Sequence, residues 1–250
     1  MKFFIESRRA PLAVLGWPSD IGGADTKLAH LLRLLADEFE ITVIPNSYHQ
    51  LRDSVWRQNL KRWGVGVMEF EEWRKSGFSG RKGIVFGLCN EYLFCEDIGG
   101  RSRWEKAHDL GHFMVYSSEM PWHQKGELEH VYEGLVHRVL YVSDVQRTRL
   151  KYPESIETVI TGNYVDPECF SFVDRRERWK QMTVFGRLSR PHMEKYPEDF
   201  PVVYELLADP QTRFRVMAWS ADLAEKYRWH SFDSRWDLLH PLQESTTRFL

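Results

Sequence analysis

The residues best equipped for chemistry lie at 182–200, where the apolar run Met182-Thr183-Val184-Phe185 meets Gly186 and then presents Arg187, Arg190 and Lys195 before a new helix. Fixed cationic donors at a strand-to-helix turn, beside outward-pointing helix amides, favour dense negative charge such as a diphosphate. A solvated basic loop is the other reading of the same residues. A second candidate is the loop at Gly22 and Gly23, which follows the apolar run beginning at Ala13 and precedes a leucine-rich helix. Backbone without side chains there lets a substrate approach the main chain and the helix N-terminus, although a plain turn uses glycine for the same conformational freedom. A third is Ser117, Ser118, Glu119 and His123, which leave an apolar run at what would be the carboxyl edge of a sheet, where α/β proteins hold ligands.

Other chemistries do not fit. His108 and His112 are four apart, but no glutamate follows the first, Gly111 weakens a helix between them and no third ligand is evident, so a zinc site is not expected. The loop from Gly16 to Gly23 lacks the G-x-G-x-x-G spacing and contains Pro18; neither a Walker loop nor a G-x-S-x-G elbow occurs. No cofactor is called for. Cys89, Cys95 and Cys169 form no C-x-x-C pair and read as reduced, mostly buried thiols. A net charge of -2 offers no basic face for nucleic acid. No apolar run reaches the roughly 20 residues of a membrane span, and the charged start is unlike a secretory signal, so a cytoplasmic protein is expected. The ten tryptophans suit a large core or sugar-stacking surfaces.

These candidates need elements to position them. Apolar runs at 12–16, 41–45, 65–69, 83–88, 113–116 and 139–143 read as buried strands, interleaved with helical patterns. The clearest helix carries Leu28, Leu31, Leu32 and Leu35, with Asp25 or Thr26 placed to cap it; another follows Glu127, with Val131 and Leu135 on one face and His130 and His137 on its polar side. Such alternation predicts an α/β fold with a parallel sheet and helices on both faces. We expect a Rossmann-like domain at 1–165, a charged link at 166–180, and a second Rossmann-like domain at 181–250 with a strand at 182–186, a helix at 201–208 and a strand at 214–219.

The Gly22-Gly23 turn, the phrase Val159-Ile-Thr-Gly-Asn-Tyr-Val-Asp-Pro-Glu-Cys-Phe and the phrase Gly186-Arg187-Leu188 with Lys195 follow one another in an order that resembles the GT-B glycosyltransferases. The likeness is nearest to the family-4 group of retaining, nucleotide-sugar-dependent enzymes, and it spans nearly the whole chain. It implies two Rossmann-like domains and a hexosyltransferase that moves a sugar from a nucleoside-diphosphate donor to an acceptor hydroxyl. Arg187, Arg190 and Lys195 would hold the donor diphosphate, Gly22 and Gly23 would form the substrate loop, and the acceptor is a glycan, lipid or small molecule. The family's histidine beside the transferred sugar has no match, since Ser-Ser-Glu stands there; Glu119 fits a sugar-hydroxyl ligand, a base toward the acceptor, a helix cap or an ion-pair partner. The gap from Arg187 to Lys195 is longer than the family's, and no glutamate pair follows Trp219. The second domain therefore reads as incomplete, as in an inactive fragment, and the rival reading is a non-catalytic α/β module that binds a nucleotide or a partner.

Overall fold

The computed structural model describes residues 9–19, 23–47, 50–88, 92–97, 99–163, 166–167, 181–187, 189 and 191–239. The chain divides into two compact units, Met1–Cys169 and Phe170–Leu250. Of the residues singled out above, Gly22, Tyr164, Val165, Leu188, Arg190, Cys89, Cys169 and most of the 166–180 link lie outside the described residues, and Cys95, expected among mostly buried thiols, is exposed.

In the first unit β1 (Ala10–Leu15) is buried from its second residue onward, as a strand with helices on both faces must be. It is followed by α1 (Gly23–Leu35), β2 (Phe39–Ile44), α2 (Ser54–Arg62), β3 (Gly66–Val67), α3 (Phe70–Ser76), β4 (Ile84–Leu88), α4 (Arg103–His108), β5 (Phe113–Ser118), α5 (Glu127–Tyr132), β6 (Arg138–Tyr141), α6 (Asp144–Leu150) and β7 (Glu157–Ile160). The seven strands pair in parallel in the order β3-β2-β1-β4-β5-β6-β7. The chain thus builds outward from β1 to β3 and then restarts at β4 on the other side. That reversal is a topological switch point, and the loops after β1 and β4 open there.

Both faces of the sheet carry core. On one side Leu28 and Leu32 of α1 pack with Leu12, Val14, Phe86 and Val115. On the other, Trp73 and Trp104 are buried against Leu15, Val85 and Tyr116. Trp104 fits because position 87 has no side chain: a Cβ on Gly87 would lie 2.5 Å from the Trp104 ring and 2.8 Å from Leu93. Ser102 and Glu105 cap α4 reciprocally, Ser102 Oγ accepting from the Glu105 amide at 3.1 Å and Glu105 Oε2 from the Ser102 amide at 2.5 Å.

The second unit comprises β8 (Thr183–Arg187), α7 (Phe200–Leu206), β9 (Thr212–Val216), α8 (Ala221–Lys226) and β10 (Trp236–Leu238), a parallel sheet in the order β10-β9-β8. Its core is almost wholly aromatic, with Tyr196, Phe200, Phe214, Trp219, Tyr227 and Trp236 interlocked and the Phe214 and Trp236 rings stacked at 4.3 Å. The strand expected at 214–219 ends at Val216 because the backbone turns there; Ala218 takes a left-handed φ of 63°, a conformation that crowds a Cβ.

The histidines also differ from expectation. His130 is buried rather than on a polar helix face, and its ring bonds Ser102 Oγ at 2.8 Å and the Gly126 carbonyl at 2.7 Å. His137 lies beyond the end of α5, where its Nδ1 accepts the Met114 amide at 3.0 Å.

Candidate functional site

Gly23 opens α1 directly after the loop from β1, so it stands at the carboxyl edge of the sheet, at the switch point. Besides its leucine stripe, α1 carries Lys27, His30 and Arg33, three residues apart and so on one face. That polar stripe was not evident in the sequence, and it organises the rim. Lys27 Nζ lies 2.9 Å from Glu119 Oε1, with side chains only 4% and 9% exposed. Ser117 Oγ donates to the same oxygen at 2.7 Å. Of the roles open to Glu119, ion pairing is the one seen; its Oε2 carries no hydrogen bond among the described residues. Farther along the stripe, the Asp166 amide donates to His30 Nδ1 at 3.2 Å and Arg33 Nε meets Asp166 Oδ2 at 2.8 Å. The Asp of the Val-Asp-Pro phrase is therefore tied to the same helix as the rim carboxylate. Burial lowers the His30 pKa; Asp166 opposes that shift and Arg33 adds to it.

The backbone on both sides of Glu119 is fixed from α6. Buried Gln146 donates from Nε2 to the carbonyls of Ser118 at 2.8 Å and Met120 at 2.9 Å, and its Oε1 accepts the Val142 amide at 2.7 Å. His123, the other polar rim candidate, serves structure. Its Nδ1 lies 2.8 Å from Glu127 and its Nε2 2.9 Å from the Leu150 carbonyl. Glu127 is fully buried and also accepts from Tyr116 Oη at 2.8 Å, the Gln124 amide at 2.9 Å and Tyr152 Oη. Burial, then the Glu127 charge, pushes the Tyr152 hydroxyl pKa well up, so Tyr152 stays a donor.

At the same edge a cavity of about 240 Å³ lies among Pro45, Leu51, Glu69, Phe70, Asp97 and Arg103. Arg103 shapes its wall, donating to the Pro45 carbonyl at 2.9 Å with the guanidinium 5.4 Å from the Phe70 ring centre. None of these residues forms a local motif, which is why the sequence did not single them out.

In the second unit Arg187 is the last residue of β8 rather than part of an exposed loop. Its guanidinium lies 4.6 Å from the Tyr196 ring centre and 5.2 Å from that of Phe200, and it donates to the Lys195 carbonyl. Its Nε is buried without a hydrogen-bond partner among the described residues, as are Trp73 Nε1 and both His112 ring nitrogens. Tyr196 itself is locked, donating from its hydroxyl to the Met217 carbonyl at 3.0 Å, and the Met217 amide donates to the Arg187 carbonyl at 2.9 Å. The ends of β8 and β9, with left-handed Ala218 beside them, therefore form one rim. Lys195 ends a short 3₁₀ turn and is exposed. Lys226, which the sequence reading passed over, clamps this segment: Nζ reaches the Tyr196 carbonyl at 2.7 Å and Glu198 at 2.8 Å.

His108 and His112 do not share a helix face. His108 is the last residue of α4, Gly111 has a φ of 72°, and His112 lies beyond it. The His112 ring is instead buried 4.6 Å from the Phe78 ring centre and 5.9 Å from that of Trp73. No group of three or more potential metal ligands occurs among the described residues. No helix among them is long and apolar enough to cross a membrane.

No protein-family model matches the sequence, and no curated protein matches it. Solved structures do resemble the fold. HepE of Anabaena, in complex with UDP and glucose, is similar with a TM-score of 0.62 at 12% identity, over 94% of this chain and 70% of that chain. The lipopolysaccharide outer core galactosyltransferase WaaB gives 0.59 at 11% identity, over 95% and 70%. MurG of Acinetobacter baumannii gives 0.56 at 10% identity, over 96% and 70%. A seven-stranded and a smaller parallel sheet, each in its own unit, give this chain the architecture of the GT-B glycosyltransferases.

Proposed function

We propose that the chain is a retaining, hexosyltransferase-type glycosyltransferase of family-4 character, which moves a sugar from a nucleoside diphosphate to an acceptor hydroxyl. The observation that carries this reading is Arg187, a guanidinium at the carboxyl end of β8 held in place on two aromatic rings. Guanidinium groups pair with diphosphate oxygens, and the negative charge on the leaving group grows as the glycosidic bond breaks. A donor fixed in advance stabilises that charge without reorganising. Lys195, one residue before the Tyr196 that supports Arg187, adds a second cation, and Arg190 belongs to the same segment. Strained backbone at Ala218, on the adjoining strand end, is of the kind that gathers at ligand sites. Likeness of fold to HepE, solved with UDP and glucose, supports the same class of donor.

On the first unit Glu119 presents Oε2 to an acceptor hydroxyl, held in place by Lys27 and Ser117. Gly23, which opens α1 at the switch point, has open space where a Cβ would stand, and Gly22 precedes it in sequence. This chemistry needs no covalent nucleophile and no metal ligand.

Calorimetric titration with UDP, GDP and ADP, followed by a sugar-nucleotide hydrolysis assay, tests the proposal. Binding of one diphosphate that is lost in Arg187→Ala, together with release of free sugar, is the expected result. Binding without turnover would assign a nucleotide-binding module, and absence of binding would place the function elsewhere.

A further inference from the structure

We infer that the His123 ring is an imidazolium that bridges the buried carboxylate of Glu127 to the carbonyl end of α6, and that its proton holds in place the rim loop that begins at Glu119. The ring meets an acceptor on each side: Nδ1 lies 2.8 Å from Glu127 Oε1, and Nε2 lies 2.9 Å from the Leu150 carbonyl oxygen. A neutral imidazole has one N–H and one lone pair, so one of the two contacts would set lone pair against lone pair. Two N–H groups satisfy both.

The surroundings favour the charged ring from both sides. Glu127 is fully buried, and among the described residues no lysine or arginine pairs with it. A desolvated carboxylate needs a counter-charge, and His123 is the group in place to supply one. Donors converge on the carboxylate: Tyr116 Oη at 2.8 Å and the Gln124 amide at 2.9 Å reach Oε2, and the Tyr152 hydroxyl reaches Oε1. Such bonds favour the ionised carboxylate, so the shared proton rests on the ring. On the other side Leu150 is the last residue of α6, and the chain turns away at Lys151 with a φ of 49°. Its carbonyl is one of those a helix leaves unpaired at its C-terminus, where a cation is favoured. Other ionisable groups that neighbouring elements turn toward the pair are Tyr152, its ring 5.0 Å from that of His123, Tyr116 of β5, and Tyr141 of β6 behind Tyr152. Arg147 of α6 acts on Tyr141 and is itself paired with Asp144.

The bridge matters because it closes a loop. Where the chain leaves β5, Gln146 holds the carbonyls of Ser118 and Met120, and Lys27 holds Glu119. The loop is fastened again at the His123 ring and the Gln124 amide, both on Glu127. Loss of the ring proton would break one of these later anchors and free that end of the rim. His123 is thus a positioning group whichever acceptor binds there, and its role stands whether or not the chain transfers a sugar.

Nitrogen-15 long-range correlation spectra of the imidazole rings, recorded on the full chain at neutral pH, read the number of ring N–H groups. The expected His123 signal is of the doubly protonated type, whereas a histidine in water, with an ordinary pKa of about 6.5, is mostly neutral there. Glu127→Gln removes the counter-charge and offers an amide N–H to Nδ1, so in that variant the ring should be neutral and protonated on Nε2. His123→Leu should speed exchange of the Gln124 amide about tenfold while leaving the β1 and β4 amides unchanged. A neutral His123 ring in the wild-type chain overturns the inference, and that measurement requires no variant to fold. A ring still doubly protonated in Glu127→Gln overturns the pairing with Glu127. Unchanged exchange at Gln124 in His123→Leu overturns the positioning role.

Discussion

Replacing Lys27 by Met should be among the most damaging single changes in the first unit, although the residue lies on a helix next to a loop. Its ammonium is 2.9 Å from Glu119 Oε1, and the two side chains are 4% and 9% exposed. Breaking a buried pair costs about 3–5 kcal/mol, because the remaining charge stays desolvated. Ser117 still donates to Glu119, and one such bond is worth about 1 kcal/mol, so about 3 kcal/mol is expected for Lys27→Met. Glu119→Gln keeps an acceptor but loses the charge, and should cost about 2–3 kcal/mol. The double variant leaves neither charge uncompensated. Its cost should stay near that of one single variant, a coupling of about 3 kcal/mol. Native-state hydrogen exchange at the β4 and β5 amides reads the stability of this unit directly. Losses that add to within about 0.5 kcal/mol would show that the two side chains do not act as a pair. Coupling that disappears in 1 M salt would show that the pair is exposed to solvent, contrary to its burial.

Three further outcomes follow from particular contacts. Gly87→Ala should destabilise by about 3 kcal/mol in hydrogen exchange at β4, because the new Cβ meets the Trp104 ring at 2.5 Å, and Trp104→Phe on that background should recover part of the loss. Burial, reinforced by Lys82, lowers the His112 pKa below its ordinary value of 6.5; the unfolded ring therefore binds the proton first, and stability falls as the pH drops from 7 toward the folded value. His112→Phe should flatten that part of the pH–stability curve without abolishing it, because His30 and His137 are lowered by burial too. Arg187→Ala should cost about 1–2 kcal/mol in thermal melts, through lost contact with Tyr196 and Phe200, whereas Lys195→Ala should cost about 0.5 kcal/mol or less; both should slow nucleotide-sugar turnover by about a hundredfold or more, and unchanged turnover would make both residues structural.

The strands of the large sheet are legible in sequence because they are buried on both faces, so the runs at β1, β4 and β5 are continuous apolar stretches that no surface helix would carry. The leucines of α1 are legible for a similar reason, since a period near four reports which face meets the core. Lys27, His30 and Arg33 repeat on the same helix and read only as a solvated side. Their partners, Glu119 and Asp166, come from distant parts of the chain, and only the strand order brings β5 and the segment after β7 within their reach. The short β10 escapes because three residues have no readable period, and its pairing with β9 is what makes it a strand.

Arg187 shows the same limit at the scale of one residue. A cation after a glycine looks like the start of a loop, yet strand alternation places Arg187 on the face of Phe185, where Tyr196 and Phe200 wait for it. Rings recruited from the next turn and helix convert a mobile surface charge into a fixed one. The feature on which the diphosphate proposal depends therefore comes from the packing of Arg187 on Tyr196 and Phe200 and not from the sequence phrase itself.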